Sequence, residues 1–205
     1  MHVEKKRLEI TGVLFTGGES KRMGRNKAFL EIGGKPLLER NLEVLDSICR
    51  EVLISCRESE QYSGYSYQVV ADQIKGKGPM GGLYSVLPVA KYDYVFVAAC
   101  DMPFLNSEAI AYIYERIEDY KLVFPYVRDR IHPLHAFYHK KVLKVVEKRI
   151  KEDKLRLFDI ADECRHKIMN ISEEMEGSML KEMIEESFLN VNTPQEWELI
   201  LQKIQ

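Results

Sequence analysis

Residues 12–36 read GVLFTGGESKRMGRNKAFLEIGGKP. An apolar strand candidate, ITGVLF at residues 10–15, runs straight into a loop crowded with glycine and positive charge. Gly17, Gly18, Lys21, Arg22, Gly24, Arg25 and Lys27 lie within one short span. Adjacent glycines admit positive φ and let backbone N–H groups approach a ligand without Cβ interference. Arg22 offers a planar fork and Lys27 a point charge, and both suit a polyphosphate. Two common phosphate motifs are excluded. No Gly-Lys-Ser/Thr follows at P-loop spacing, and Gly17, Gly18 and Gly24 do not form a GxGxxG fingerprint. On composition alone, a solvated glycine turn remains open beside the phosphate reading.

Outward from this stretch, short apolar runs alternate with segments of helical period. KPLLERNLEVLDSI carries Leu37, Leu38, Leu42, Leu45 and Ile48 along one stripe. EVLIS and YQVVAD read as strands, and GGLYSVLPVA as a helix opened by glycines and stopped near Pro88. YDYVFVAACD holds the most apolar strand, as expected for a central strand covered on both faces. NSEAIAYIYERIEDY has an Asn-Ser start and helical spacing. KLVFPYV and HAFYHK read as further strands, and KKVLKVVEKRIKEDK as an amphipathic helix with a basic solvated face. LRLFDIADE, HKIMNI and a methionine-bearing helix around EMEGSMLKEMIEE follow. In TPQEWELILQKI, Thr193 caps a last helix with Pro194 in its first turn. The β-α order through Asp101 predicts a three-layer, Rossmann-like α/β fold with a parallel-dominated sheet. Its ligand belongs at the carboxyl ends of the strands. From about Leu122 the chain is expected to extend the same sheet, so residues 1–205 read as one domain.

The chain has 205 residues, of which 45% are hydrophobic and 30% charged. That length allows burial of roughly 70% of the unfolded surface. A net charge of −2 gives no general affinity for nucleic acid or anionic membrane, so any anion site is local. Cys49, Cys56, Cys100 and Cys164 form no CxxC pair, which suits thiols in a reducing compartment. The start, MHVEKKRLEI, has no apolar signal region, and no run approaches the roughly 20 residues of a membrane span. A cytoplasmic location is expected, and the sequon at Asn170 is then a chance match.

FTGGESKRMGRNK resembles the L-x-G-G-x-S-x-R-M-G-x-x-K signature of nucleotidyltransferases with a glycosyltransferase-A-like fold. More narrowly, the chain is similar to the molybdenum cofactor guanylyltransferases. Three further segments follow in that family's order: GPMGGLYSVL from Gly78, ACDMP from Ala99 and FLNVNTPQEW from Phe188. With HPLHAFY from His132, the resemblance spans about Gly12 to Trp197. It implies transfer of GMP from GTP to the terminal phosphate of molybdenum-bearing molybdopterin, with loss of pyrophosphate. The part before about residue 121 would bind nucleotide and the later part the acceptor. The implied partners are GTP, molybdopterin and molybdoenzymes or other cofactor-biosynthesis proteins, with no nucleic acid and no membrane.

The resemblance also assigns residues. Asp101, closing the most apolar strand, is the implied Mg²⁺ ligand, with a turn aspartate before Pro103 as the plainer reading. Lys27 would reach the triphosphate. Arg22 would do the same or brace the loop. Phe15, Thr16, Gly17 and Gly18 would present backbone to the nucleotide, although relatives usually carry Leu-Ala where Phe15-Thr16 stands. Gly78 and Gly82 belong to the second glycine loop. Asp72 would contact the nucleoside, and Ser55-Cys56 replaces the asparagine that usually contacts the base. His132, Asn190 and Asn192 fall near the implied acceptor site, although a proline turn into a strand is the plainer reading of His132 and a locked loop explains the two asparagines equally. Rivals of the same fold are a cytidylyltransferase and a sugar-phosphate nucleotidyltransferase. A nucleotide-binding regulator without activity is a third.

Overall fold

The computed structural model describes residues 7–17 and 26–204. Gly18 and Arg22 therefore lie outside the described residues. The strands are β1 (Leu8–Phe15), β2 (Glu31–Ile32), β3 (Lys35–Pro36), β4 (Cys49–Cys56), β5 (Gln68–Ala71), β6 (Tyr94–Ala99), β7 (Leu122–Val127), β8 (Arg130–Ile131), β9 (His135–His139) and β10 (His166–Asn170). The helices are α1 (Leu37–Ile48), α2 (Gly78–Val86), α3 (Ser107–Tyr114), α4 (Leu143–Lys151), α5 (Ile171–Glu174), α6 (Lys181–Glu186) and α7 (Pro194–Ile204). No described helix is long and apolar enough to cross a membrane.

The main sheet runs β10-β7-β9-β6-β1-β4-β5, with β8 paired to β7 beside this path. β1 is flanked by parallel β4 on one side and parallel β6 on the other. The chain leaves β1 for β4 and β5, then returns across β1 to β6. Strand order therefore reverses between β1 and β6, and open α/β sheets bind ligands in the crevice beyond such a reversal.

Alternation along the strands makes the layers. Ile10 and Leu14 of β1 and Phe96 and Ala98 of β6 pack with Leu38, Leu42 and Leu45 of α1 and with α3. Val13 and Phe15 of β1 and Val95 and Val97 of β6 pack with Met80, Leu83 and Val86 of α2 and with α4. Both faces of the central strands are therefore covered, as the unbroken apolar run of β6 predicted. Close approach at α1 depends on Gly12, where a Cβ would sit 2.7 Å from Cys49 Sγ and 3.3 Å from Leu45 Cδ2.

The structure adds one detail and changes one expectation. β9 continues the sheet but runs antiparallel to both β6 and β7. Its pairing with β7 ends at Val123, and β8 takes over at Tyr126. Pro125, which has no N–H to donate, sits in that gap. The methionine-bearing helix is two short helices, α5 and α6, with Gly177 at φ 77° in the turn between them. A third small core joins Leu30, Ile32 and Leu37 to Val191, Trp197 and Ile200, and seats α7 against the β2–β3 hairpin.

Candidate active site

Hydrogen bonds at the carboxyl ends of β1, β4 and β6 lock the floor of the crevice. Cys100 N–H donates to Phe15 O at 3.0 Å, carrying the β1–β6 ladder past the end of β6. Thr16 donates to Ser55 O through both its N–H and its hydroxyl, each at 2.9 Å. The hydroxyl bond gives the Phe15-Thr16 departure a structural reason, because it ties β1 to β4. The buried Asn41 side chain of α1 donates to Cys100 O at 3.3 Å.

Lys27 enters from the start of a single 3₁₀ turn, Lys27–Phe29. Asn26 caps that turn by accepting from Ala28 N–H at 3.1 Å, and its amide donates to Tyr62 and Gln61. Lys27 Nζ lies 3.0 Å from Asp101 Oδ2 and 3.0 Å from Asn192 Oδ1. The Lys27 and Asp101 side chains are only 16% and 18% exposed, so the pair sits in a partly dry environment where charge interactions exceed those at an open surface.

Asn192 is brought there by a capping box. Thr193 Oγ1 accepts from Glu196 N–H at 3.2 Å, while Glu196 Oε2 accepts from the N–H groups of Asn192 at 2.6 Å and Thr193 at 3.2 Å. Val191 N–H donates to Asp101 O at 2.9 Å, fixing this segment to the end of β6.

A cleft of about 420 Å³ opens over this group. Phe15, Thr16, Gly17, Lys27, Asp101 and Asn192 line it, as do Arg57, Gly78 and Asn190. Gly78 has φ 53° and opens α2 before Pro79, so the positive end of that helix borders the cleft. Gly82 is different. It is buried, and a Cβ there would lie 3.0 Å from Phe15 Cε2 and 3.0 Å from Ser55 Oγ. Its small size lets α2 pack on the sheet beneath the site.

Beside this lies a small recess that Gly82 lines with Phe15, Ser55, Cys56, Arg57 and Asp72. Asp72 follows β5, and burial raises its carboxyl above the usual range while the Arg57 charge opposes the shift. Burial also pushes the Cys56 thiol up to about 11 and the Cys100 thiol up to about 12, so neither is a ready thiolate.

Asp101 fits a hard cation in one specific respect. Its Oδ1 is buried and has no hydrogen-bond partner, while Oδ2 holds Lys27. No group of three or more His, Cys, Asp or Glu suited to a metal occurs among the described residues. A single carboxylate matches Mg²⁺, which commonly takes one or two protein oxygens and completes its shell with water and substrate phosphate.

A second cleft, of about 510 Å³, shares Asn190, Asn192 and Leu134 with the first. His132 lines it with its Nε2 3.2 Å from Val127 O, and burial lowers its pKa. His135 does not line the cleft. It is fully buried and stacks on Phe188 at 4.1 Å. The structure thus brings Lys27, Asp101 and Asn192 into direct contact, gathers Phe15, Thr16, Gly17 and Gly78 around them, and sets Asp72 and His132 in adjoining recesses. Asn26, Arg57, Arg128 and Arg130 were not singled out from the sequence. Asn26 carried a signal, an Asn immediately before a helical turn.

A doubly wound sheet with Gly17, Lys27 and Asp101 gathered at its reversal point is the architecture of a nucleotidyltransferase. The profile of the MobA-like NTP transferase domain matches residues 12–165, and the chain belongs to that family. A relative from Pelotomaculum thermopropionicum, named a probable molybdenum cofactor guanylyltransferase, is 35% identical over 91% of this chain and 89% of its own. One from Desulfosudis oleivorans, named a molybdenum cofactor guanylyltransferase, is 30% identical over 92% and 93%. The crystal structure of molybdopterin-guanine dinucleotide biosynthesis protein A from Archaeoglobus fulgidus superposes with a TM-score of 0.80 at 25% identity, over 94% of this chain and 97% of that one.

Proposed function

We propose that this nucleotidyltransferase moves GMP from GTP to the terminal phosphate of molybdenum-bearing molybdopterin. An acceptor phosphate oxygen forms a bond to the α-phosphorus. The bond from that phosphorus to the α–β bridging oxygen breaks, and pyrophosphate leaves with the electron pair. The products are molybdopterin guanine dinucleotide and pyrophosphate. The observation that carries this reading is the contact of Lys27 with Asp101 at the mouth of the β1–β6 crevice, beside a buried, unpartnered carboxylate oxygen.

The nucleophile is already an anion, so the reaction needs positioning and charge neutralisation more than a strong base. Lys27 would turn from Asp101 toward the phosphates and offset charge on the leaving pyrophosphate. Arg22 would assist from the glycine loop. Phe15, Thr16, Gly17 and Gly18 would lie against the nucleotide, with the start of α2 at Gly78 facing its anionic part. Gly82 would act by letting α2 pack close. Asp72 would accept from the ribose or from guanine N–H groups.

Asp101 would hold Mg²⁺. When bound, that ion supplies Lewis-acid stabilisation of phosphoryl charge. Asn190, Asn192 and His132 would orient the acceptor in the adjoining cleft.

On this reading the whole chain is one transferase domain. Residues before about 121 serve the nucleotide and later ones the acceptor, and the reaction is cytoplasmic. The deciding experiment incubates the protein with GTP, Mg²⁺ and molybdopterin and measures pyrophosphate and dinucleotide together. Equal yield with CTP in place of GTP would overturn the guanylyl assignment. Absence of dinucleotide with every nucleotide would overturn the transfer reading.

A further inference from the structure

The second cleft holds cations that the transfer chemistry does not account for. Arg128 and Arg130 both line it, and neither lines the nucleotide cleft. Both are exposed. Most other arginines and many lysines of the described chain face a carboxylate, as in Arg7–Asp46, Arg149–Asp162 and Lys77–Asp153. The Arg128 and Arg130 side chains make no hydrogen bond or ion pair among the described residues. Nearby carboxylates are engaged elsewhere. Asp129 Oδ1 accepts from the Tyr126 hydroxyl at 3.1 Å, and Glu196 Oε2, on the same cleft, is held by the N–H groups of Asn192 and Thr193.

The backbone adds an independent observation. Arg128 and Asp129 form the two-residue turn between β7 and β8, at φ 50° and 59°. Such turns strongly favour Asn-Gly or Asp-Gly, because non-glycine residues resist the left-handed region. Here the strained positions hold a side chain with five donors, and strain of this kind clusters where a ligand is held. The hairpin is anchored from below, since His132 N–H donates to Pro125 O at 3.0 Å and His132 Nε2 contacts Val127 O.

We infer that Arg128 and Arg130 form an oxyanion-binding clamp that grips the acceptor in the cleft that Asn192 also lines. This rests on the transfer reading for the identity of the acceptor. A ligand filling the second cleft would reach from Asn192, the neighbour of Lys27, to the hairpin. The clamp then selects an acceptor that carries negative charge at both ends: the phosphate that attacks, and an oxyanionic group beyond it. Guanidinium forks suit tetrahedral and planar oxyanions, and two of them define an orientation where one would not.

Two measurements test this. First, arginine Nε–Hε NMR signals are followed while inorganic phosphate, and separately molybdate, is added to the whole protein without nucleotide. The signals of Arg128 and Arg130, assigned from the R128Q and R130Q variants, should move and saturate together while exposed arginines away from both clefts, such as Arg7, Arg50 and Arg165, stay still. Shifts of those distant arginines equal to the shifts of Arg128 and Arg130, or no shift of the latter pair, overturn the clamp. Preference for molybdate over phosphate would mark the far group as an oxo-metal end, and the reverse preference as a phosphate.

Second, steady-state transfer to molybdopterin is compared in wild type and the double variant R128Q/R130Q, after their melting temperatures are shown to match. The acceptor KM should rise tenfold or more, with the GTP KM within twofold. An unchanged acceptor KM, or equal rises for both substrates, overturns the proposal. If wild type transfers nothing to molybdopterin, the functional reading fails by itself, and the NMR result still decides whether the clamp exists.

Discussion

Lys27 and Asp101 are 74 positions apart in the chain, yet Lys27 Nζ lies 3.0 Å from Asp101 Oδ2. The partners come from different devices. Lys27 rides on a 3₁₀ turn capped by Asn26, and Asp101 lies two residues beyond the end of β6. The contact closes only because the sheet reverses its strand order between β1 and β6. On the proposed function, a bound nucleotide and cation would compete for both members of the pair.

GTP with Mg²⁺ is therefore expected to raise the melting temperature more than CTP, UTP or ATP does. A ligand that binds only the folded state at 100 times its Kd stabilises by about 2.7 kcal/mol, which a thermal-shift panel detects readily. A shift with CTP equal to that with GTP would remove the base preference while leaving the fold assignment intact.

Lys27→Ala should fold and lose turnover. Lys27 belongs to none of the three apolar cores, so the variant's circular dichroism spectrum should match wild type. The loss of phosphate neutralisation should lower kcat by about a hundredfold or more, in line with removal of one donor to developing charge. A variant that is unfolded without ligand would make Lys27 a structural residue instead.

Much of this arrangement was legible in the sequence. The run Val95–Ala99 marked the central strand, and the Leu37–Ile48 stripe marked the helix that covers it. Lys27 and Asp101 stood at the ends of recognisable elements. The antiparallel direction of β9 had a signal too: residues 128–134 alone separate β7 from β9, too few for the dozen or so residues of a parallel crossover. The break between α5 and α6 was less visible, because one glycine within a helical pattern is usually tolerated. Arg128 and Arg130 were hidden for another reason. Charged residues in a turn are ordinarily solvated, and only the structure shows both on one cleft without carboxylate partners.

Asp101→Asn keeps the shape of the side chain and removes the charge that a hard divalent cation requires. Loss of a Lewis acid acting on phosphoryl charge costs several kcal/mol, on the order of a thousandfold in rate. Nucleotide affinity should fall much less, because Lys27 and the glycine loop remain. Turnover measured against Mg²⁺ concentration, with affinity measured separately, decides it. A near wild-type rate with unchanged Mg²⁺ dependence would make Asp101 a turn residue.

Gly12→Ala tests the close packing of α1 on β1. The added Cβ would meet Cys49 Sγ at 2.7 Å, a distance that requires something to shift. Overpacking of this kind costs about 1–3 kcal/mol. Shrinking the neighbour should recover part of it, so Gly12→Ala with Cys49→Ala should be more stable than the sum of the two single effects. Urea denaturation of the four proteins reads this directly, and strict additivity would mean that the Cys49 contact is not the cause.

His135 makes stability sensitive to mild acid. Its ring is fully buried between Phe188 and Phe96, with centroids 4.1 and 5.2 Å away. Neither ring nitrogen has a partner in hydrogen-bonding geometry. Burial, reinforced by His132 and opposed by the Ser187 backbone, lowers its pKa from 6.5 to about 3. The unfolded chain therefore takes up a proton at this residue below pH 6.5, and the folded chain does not until about pH 3. In that window the unfolded state binds more protons, so stability falls as the pH falls, approaching 1.4 kcal/mol per unit well below 6.5. From pH 7.5 to 5.5, this single histidine should remove on the order of 1 kcal/mol. His135→Phe keeps a flat ring in the stack and cannot be protonated. Its urea-derived stability should fall less over that interval, by an amount of the same order, whatever its stability at pH 7.5. If wild type and variant lose stability in parallel between pH 7.5 and 5.5, the acid sensitivity arises elsewhere and His135 is not buried in its neutral form.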